Sequence, residues 1–428
     1  MNLRKIWLSF LVIILSLTVS SQAFAVSEAA VLFLLISPSP QANAMGCTYG
    51  TTVSTSPMAT IMNPAALGIF AQENYFGHEF YSEKIPWLPA LVSDMYYDAK
   101  ATSFGLNLNP YLRLPLFIGV SRQSIFLDLG EQFYTSEDGP EVIDSFESHD
   151  KATSTSFALS VDHHIKASLG ISFKNIASKL APAGWGENYG STTSKVSAWD
   201  IGLILQAPLQ DFYKNSGWHR ALENDGFSTF FEPGILYSLT NIGDEITYID
   251  AANADPLPRN LTLGIHLKAG LNYKGFNLIH FGYAREVEDL LIDTEIDWEN
   301  ETYSREYASG LHDIDIWNDL ILGKTNDKVI TKRGHSFNFA GVYSIRSGKY
   351  QDIEGKVIYR TEGTSIDYLN IAQFLLAETK YKNHPFVKFL HSLSFERHTS
   401  KVITDEGHPL TGTEFTSYVL RVKNFAIN

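Results

Sequence analysis

One cysteine, Cys47, stands in 428 residues, so no intrachain disulfide can form. The residues before it, Asn43-Ala44-Met45-Gly46, match a lipoprotein site poorly, and Cys47 reads as a small buried residue. Charge is sparse: Asp, Glu, Lys and Arg make up 19%, against about a quarter in ordinary domains. Positive charge is the scarcer sign, 33 Lys and Arg to 47 Asp and Glu, a formal net of −14. So acidic a chain argues against nucleic acid as a partner, since phosphate binding needs a basic face. After the first 25 residues no apolar run approaches the ~20 residues of a spanning helix; Ala29 to Ile36 is far too short. No Pro-rich or Gly/Ser-rich spacer divides the chain.

Catalytic signatures are missing as well. There is no G-x-S-x-G elbow. Gly184-Trp185-Gly186 has Tyr189 where the third glycine of a phosphate loop belongs. His163 and His164 are adjacent at a strand end, where neighbouring side chains point to opposite faces, which argues against joint metal ligation. The expectation is a protein that is not an enzyme, with no cofactor and no metal.

What is present begins with a leader. Arg4 and Lys5 precede an apolar run from Ile6 to Val19, and Ala23-Phe24-Ala25 fits a small-x-small cleavage pattern. Residues 1–25 read as a signal peptide, and its removal takes the formal charge from −14 to −16. Aromatics are abundant at 13%, with 27 Phe and 21 Tyr, as the interface girdles of a membrane barrel need.

From about residue 100 the period is 2. Residues 155–162, 167–174, 199–203, 261–268, 337–344 and 353–360 alternate apolar with small or polar, as do 393–396 and 418–423. Such alternation puts one set on each face of a strand, lipid-facing and lumen-facing in a barrel. Residues 163–167 read as a tight turn. Four stretches read as long outer loops: Gly130 to Lys151, Leu209 to Glu232, Glu286 to Arg333 and Leu369 to Pro385. The acidic third one reads as solvated and part helical. Trp87 and Trp185 read as interface anchors.

One segment is distinctive. Leu34-Leu35-Ile36-Ser37-Pro38 leads through Ala44-Met45-Gly46 to Asn63-Pro64-Ala65-Ala66-Leu67. With Trp87-Leu88-Pro89, Leu257-Pro258-Arg259 and Asn383-His384-Pro385, it resembles the PorV/PorQ family of the type IX secretion system, within the FadL-like group of outer-membrane barrels. Asn43 stands where the family has Arg, Ala66 where it has Gly, and the tail after Arg397 departs from it. The resemblance implies an all-β fold: a transmembrane antiparallel β-barrel of about 14 strands with an N-terminal hatch, integral to the outer membrane of a Gram-negative bacterium. Residues 26–70 would be the hatch and 71–428 the barrel. Asn63, Pro64 and Ala65 would form the hatch motif; a proline restrains its predecessor and an asparagine can bond its own turn.

Two functions follow from the resemblance. The first is a subunit of type IX secretion, binding or shuttling exported cargo, with a large translocon barrel and C-terminal signal domains as partners. The second is a FadL-type transporter of hydrophobic small molecules. Outer-membrane lipid surrounds the protein in both. An apolar pocket beside the hatch would favour the second.

Overall fold

The computed structural model describes residues 29–135, 141–180, 193–214, 216, 223, 225–248, 254–273, 276–297, 302–376, 384–405 and 407–423. The expected signal peptide and Gly184-Trp185-Gly186 lie outside these residues.

Of the eight alternating segments, 337–344 runs through a turn at 340–342 and 353–360 opens with a turn at 353–356, while the other six lie within strands. The first group is β1 (Asn74–Tyr81), β2 (Ile85–Pro86), β3 (Tyr96–Asn107), β4 (Leu116–Thr135), β5 (Val142–Asp162), β6 (Lys166–Lys179) and β7 (Thr193–Gln206). Then come β8 (Phe227–Gly243), β9 (Ile246–Thr247), β10 (Ala254–Asp255), β11 (Asn260–Tyr273), β12 (Phe276–Leu290), β13 (Ile292–Asp297) and β14 (Thr302–Tyr307). The last are β15 (Ile330–Phe339), β16 (Tyr343–Asp352), β17 (Val357–Asp367), β18 (Leu393–Ile403) and β19 (Glu414–Lys423). The fourteen longest-paired strands run antiparallel around a closed barrel, and β1 shuts it by pairing with both β3 and β19. The short strand β2 flanks β3, while β9–β10 and β13–β14 are hairpins in connections.

Burial along these strands is the reverse of a soluble sheet. On β6, Ser168, Gly170 and Ser172 are buried while Leu169 and Phe173 are exposed. Ser156 and Ser172 face the lumen at 0% and 1% exposure, whereas Phe104, Phe173, Ile235 and Ile345 stand out at 51–54%. An apolar exterior on a closed sheet, with every ladder satisfied, is what lipid requires. The protein is an integral β-barrel of the outer membrane.

The tail after Arg397 completes the wall: β19 pairs with β18 and closes on β1. Residues 29–73 lie inside, in short helical turns ending in the helix Ala66–Glu73. Val53, Met58, Ala59, Ala65 and Phe70 of this segment are fully buried. Fourteen strands around an N-terminal plug match what the resemblance to the FadL-like group implies.

The expected outer loops need correction. Strand direction alternates, so the end at which a connection lies follows from the parity of the strand before it, not from its length. The connections after β3, β5, β7, β11, β15 and β17 share one end with the start of β1 and the end of β19. Four of these are short, which marks that end as periplasmic. Leu209 to Glu232 and Leu369 to Pro385 therefore lie at the turn end, not outside. Gly130 to Lys151 is mostly strand, since β4 and β5 run on as a hairpin of 20 and 21 residues.

The acidic connection after β12 does lie at the outer end, but it is not simply solvated. It folds back over the exterior wall through the hairpin β13–β14 and a π-helical turn, Ile316–Leu322. Ile314, Leu320 and Val329 bury Leu261 and Val287 of the wall. Asp289 on the same face is capped there by the Asp313 N–H at 2.9 Å and meets His312 Nδ1 at 3.1 Å.

Candidate functional site

The plug divides the lumen in two. Its anchorage begins with the motif read from the sequence. Asn63 Oδ1 accepts from the Ala65 N–H at 3.0 Å, closing the turn around Pro64. Asn63 Nδ2 donates to the Tyr237 carbonyl on β8 at 3.2 Å. The lumen serines complete the seat: Ser238 Oγ donates to the Met62 carbonyl and Ser168 Oγ to that of Ala65, at 2.7 and 2.6 Å. Gly202 on β7 is what lets the turn come this close, since a Cβ there would stand 2.0 Å from Asn63 Oδ1. Gly348 on β16 does the same for the Met45-Gly46 corner, with the Gly46 nitrogen 2.0 Å from its Cβ position.

Two buried carboxylates grip the plug backbone. Glu286 on β12 accepts from the Tyr49 and Gly50 N–H groups at 2.6 and 2.9 Å. Glu79 on β1 accepts from the Met58 N–H at 3.1 Å and from Ser56 Oγ and Ser417 Oγ at 2.7 and 2.9 Å. Neither was singled out from the sequence. The available signal was a carboxylate on the lumen side of a period-2 strand, where most neighbours are small.

At the turn end the lumen holds a polar chamber of about 590 Å³, lined by Lys166, Lys268, Arg346, Arg421, Glu73 and Glu232 among others. Lys166 pairs with Glu232 at 3.3 Å, and Arg421 with Glu396.

At the outer end, against the plug, lies a second chamber of about 500 Å³. Leu35 and Ile36 of the plug, Trp87, Val402, Leu410 and Phe415 form much of its wall. Trp87 is half-buried here, packing against Tyr97 and Phe415 at ring centroid distances of 6.2 and 6.4 Å. This overturns its reading as a lipid-interface anchor: the connection after β1 folds inward and carries the indole into the lumen. Tyr350 and Tyr359 stack at 4.8 Å with rings 5° from parallel.

The chamber floor has a few polar groups. Cys47 Sγ lies 3.5 Å from Tyr359 Oη and 3.7 Å from Asn43 Oδ1. Cys47 is thus buried, as read from the sequence, and it also lines the chamber. Lys332 reaches the floor but is neutralised by a buried ion pair with Glu288. Lys356 and Lys401 border the chamber as well; Lys401 pairs with Glu362 at 2.8 Å on the outward face of the wall. Among the described residues no Asp or Glu lines this chamber.

The His163 and His164 rings meet at a centroid distance of 4.1 Å, tilted by 47°, in the turn between β5 and β6 rather than on opposite faces of a strand. Among the described residues, Asp289, His312 and Asp313 are the group with ligand-type atoms close enough for a metal, within 4.8 Å of one another. Both His312 nitrogens already engage carboxylates, Asp289 and Asp293, each at 3.1 Å. Burial pulls the His312 pKa down, but the bond to Asp293 and the charges of Asp289 and Asp313 outweigh it, and the net shift is upward. The arrangement is a loop clasp.

No known family's sequence pattern matches the chain, and no curated protein matches it. Solved barrels are similar in fold. One is a deltaS2S3 mutant of the monoaromatic hydrocarbon channel TodX, with 13% identity over 90% of this chain and 98% of that one, TM-score 0.45. Another is the monoaromatic hydrocarbon channel CymD, 11% identical over 91% and 98%, TM-score 0.41. OprD of Pseudomonas aeruginosa is 9% identical over 82% and 92%, TM-score 0.30. Those names describe those proteins; the reading of this chain rests on its own chamber.

Proposed function

We propose that the protein admits small hydrophobic molecules across the outer membrane, with the outer chamber as the site of first binding and the plug as its hatch. The observation that carries this is the chamber itself: apolar and aromatic walls, a floor lysine held in a buried ion pair, and a position directly against the plug. Ligand sites are mostly apolar hollows of about 300–1,000 Å³ with a few placed polar groups, and this one fits. The Asn63-Pro64-Ala65 turn would be the seat on which the hatch rests while closed. The secretion reading has no such specific observation behind it.

The test is uptake of radiolabelled naphthalene by a Gram-negative host deprived of its own hydrocarbon channels. Expression of this chain should raise the initial rate several-fold over the empty vector. Equal rates, with the barrel correctly inserted, would overturn the proposal. Recovery of a very large barrel or of secreted cargo domains with the tagged protein would turn attention back to secretion.

A further inference from the structure

The outward face of this acidic chain carries an unexpected row of cations. Register places Arg285 on β12 opposite Arg333 on β15, Arg333 opposite Lys349 on β16, and Lys349 opposite Arg360 on β17. Their neighbours fix which way they point. Glu286 grips the plug, Lys332 meets Glu288 in the lumen, Gly348 abuts the plug, and Tyr359 lines the outer chamber. Adjacent residues on a strand face opposite sides, so all four cations point out.

At about 4.8 Å between strands the row runs about 14 Å around the wall. Arg333 and Arg360 are exposed and Lys349 half-exposed. Arg285, at the end, is tucked under the outer connection at Gly323. Among the described residues none of the four has a carboxylate partner, and the nearby acid on this face, Glu362, is already paired with Lys401. Like charges placed directly opposite on neighbouring strands repel, so the row is unfavourable unless something neutralises it.

Its height says what that is. Toward the turn end the same faces become apolar, with Phe337, Phe339, Tyr343 and Ile345 exposed to lipid. Toward the outer end the strands run into the loops. The row therefore sits where hydrocarbon gives way to the headgroups of the outer leaflet.

We propose that this row binds the phosphate groups of an anionic lipid in the outer leaflet. Guanidinium groups meet phosphate oxygens in bidentate fashion, and a lysine adds a point charge. A row of this length suits a headgroup bearing more than one phosphate. The site is separate from the outer chamber and stands whether or not the protein transports hydrophobic molecules.

The experiment is native mass spectrometry of the purified barrel in mild detergent, titrated with bis-phosphorylated lipid A and with the same lipid lacking both phosphates. The intact protein should hold the phosphorylated form about tenfold or more tightly. The double variant R333Q/R360Q should lose that preference, the single variant K349Q should weaken it, and K195Q, on exposed Lys195 of β7, should keep it. Heat-modified migration on gels reports that each variant is folded. Equal binding of the two lipids, or an unchanged preference in folded R333Q/R360Q, overturns the proposal. So does full displacement of the lipid by millimolar inorganic phosphate, which would make this a site for the free ion.

Discussion

Glu286, on the lumen side of β12, accepts the Tyr49 amide proton at 2.6 Å, and the same oxygen takes that of Gly50 at 2.9 Å. One strand carboxylate thus holds two consecutive amides of the plug. Charge-assisted bonds of this kind contribute about 1.5–3 kcal/mol each. Replacing Glu286 with Ala leaves both amides without that partner, and their hydrogen exchange should accelerate more than about tenfold. Unchanged exchange at Tyr49 and Gly50 would show that the clamp does not hold the plug.

The Asn63 turn gives a second test. Gly202→Val sets a branched side chain against Asn63 Oδ1, where even a Cβ would lie at 2.0 Å. Overpacking of this kind costs about 1–3 kcal/mol. The variant should melt earlier and expose the plug to protease, while Gly310→Ala, strained locally by its φ of +73° but with nothing within 4 Å of the added Cβ, should leave the plug protected. A protected plug in Gly202→Val would contradict the docking described.

The His312 clasp should depend on pH. Its pKa is raised in the folded protein above the usual 6.5. A group raised on folding contributes stability below its unfolded pKa, and that contribution is lost as pH rises through the folded value. Hydrogen exchange at Asp289, His312 and Asp313, corrected for its intrinsic pH dependence, should therefore quicken as pH rises above about 6.5 through the raised value, and H312Q should abolish the dependence. A clasp that loosens instead on acidification would reverse the assignment.

Much of this was legible in the sequence. Period-2 alternation with serine and glycine on one side, as in 167–174, foretold a wall whose buried face is polar. Asn63-Pro64 foretold a compact turn, and Asn63 Oδ1 does bond the Ala65 amide. What could not be read were features set by closure. Which end holds a connection depends on counting every strand, and weak strands such as β15 and β16 hide in charged sequence. Trp87 enters the lumen because of how the connection after β1 folds. Arg285, Arg333, Lys349 and Arg360 are far apart in the chain and become a row only through register. The chamber has the same origin, since Ile36, Tyr359 and Phe415 meet only when β19 closes on β1 around the plug.

The central claim is that the outer chamber binds hydrophobic molecules, and the most direct measurement is equilibrium binding of naphthalene to the purified barrel in nanodiscs. Val402→Trp is the comparison, because it fills the chamber from a wall residue that takes no part in gripping the plug. The account predicts saturable binding to the natural protein and about tenfold or weaker binding to Val402→Trp, with both proteins equally folded. Binding that is absent, or that Val402→Trp leaves untouched, would contradict it.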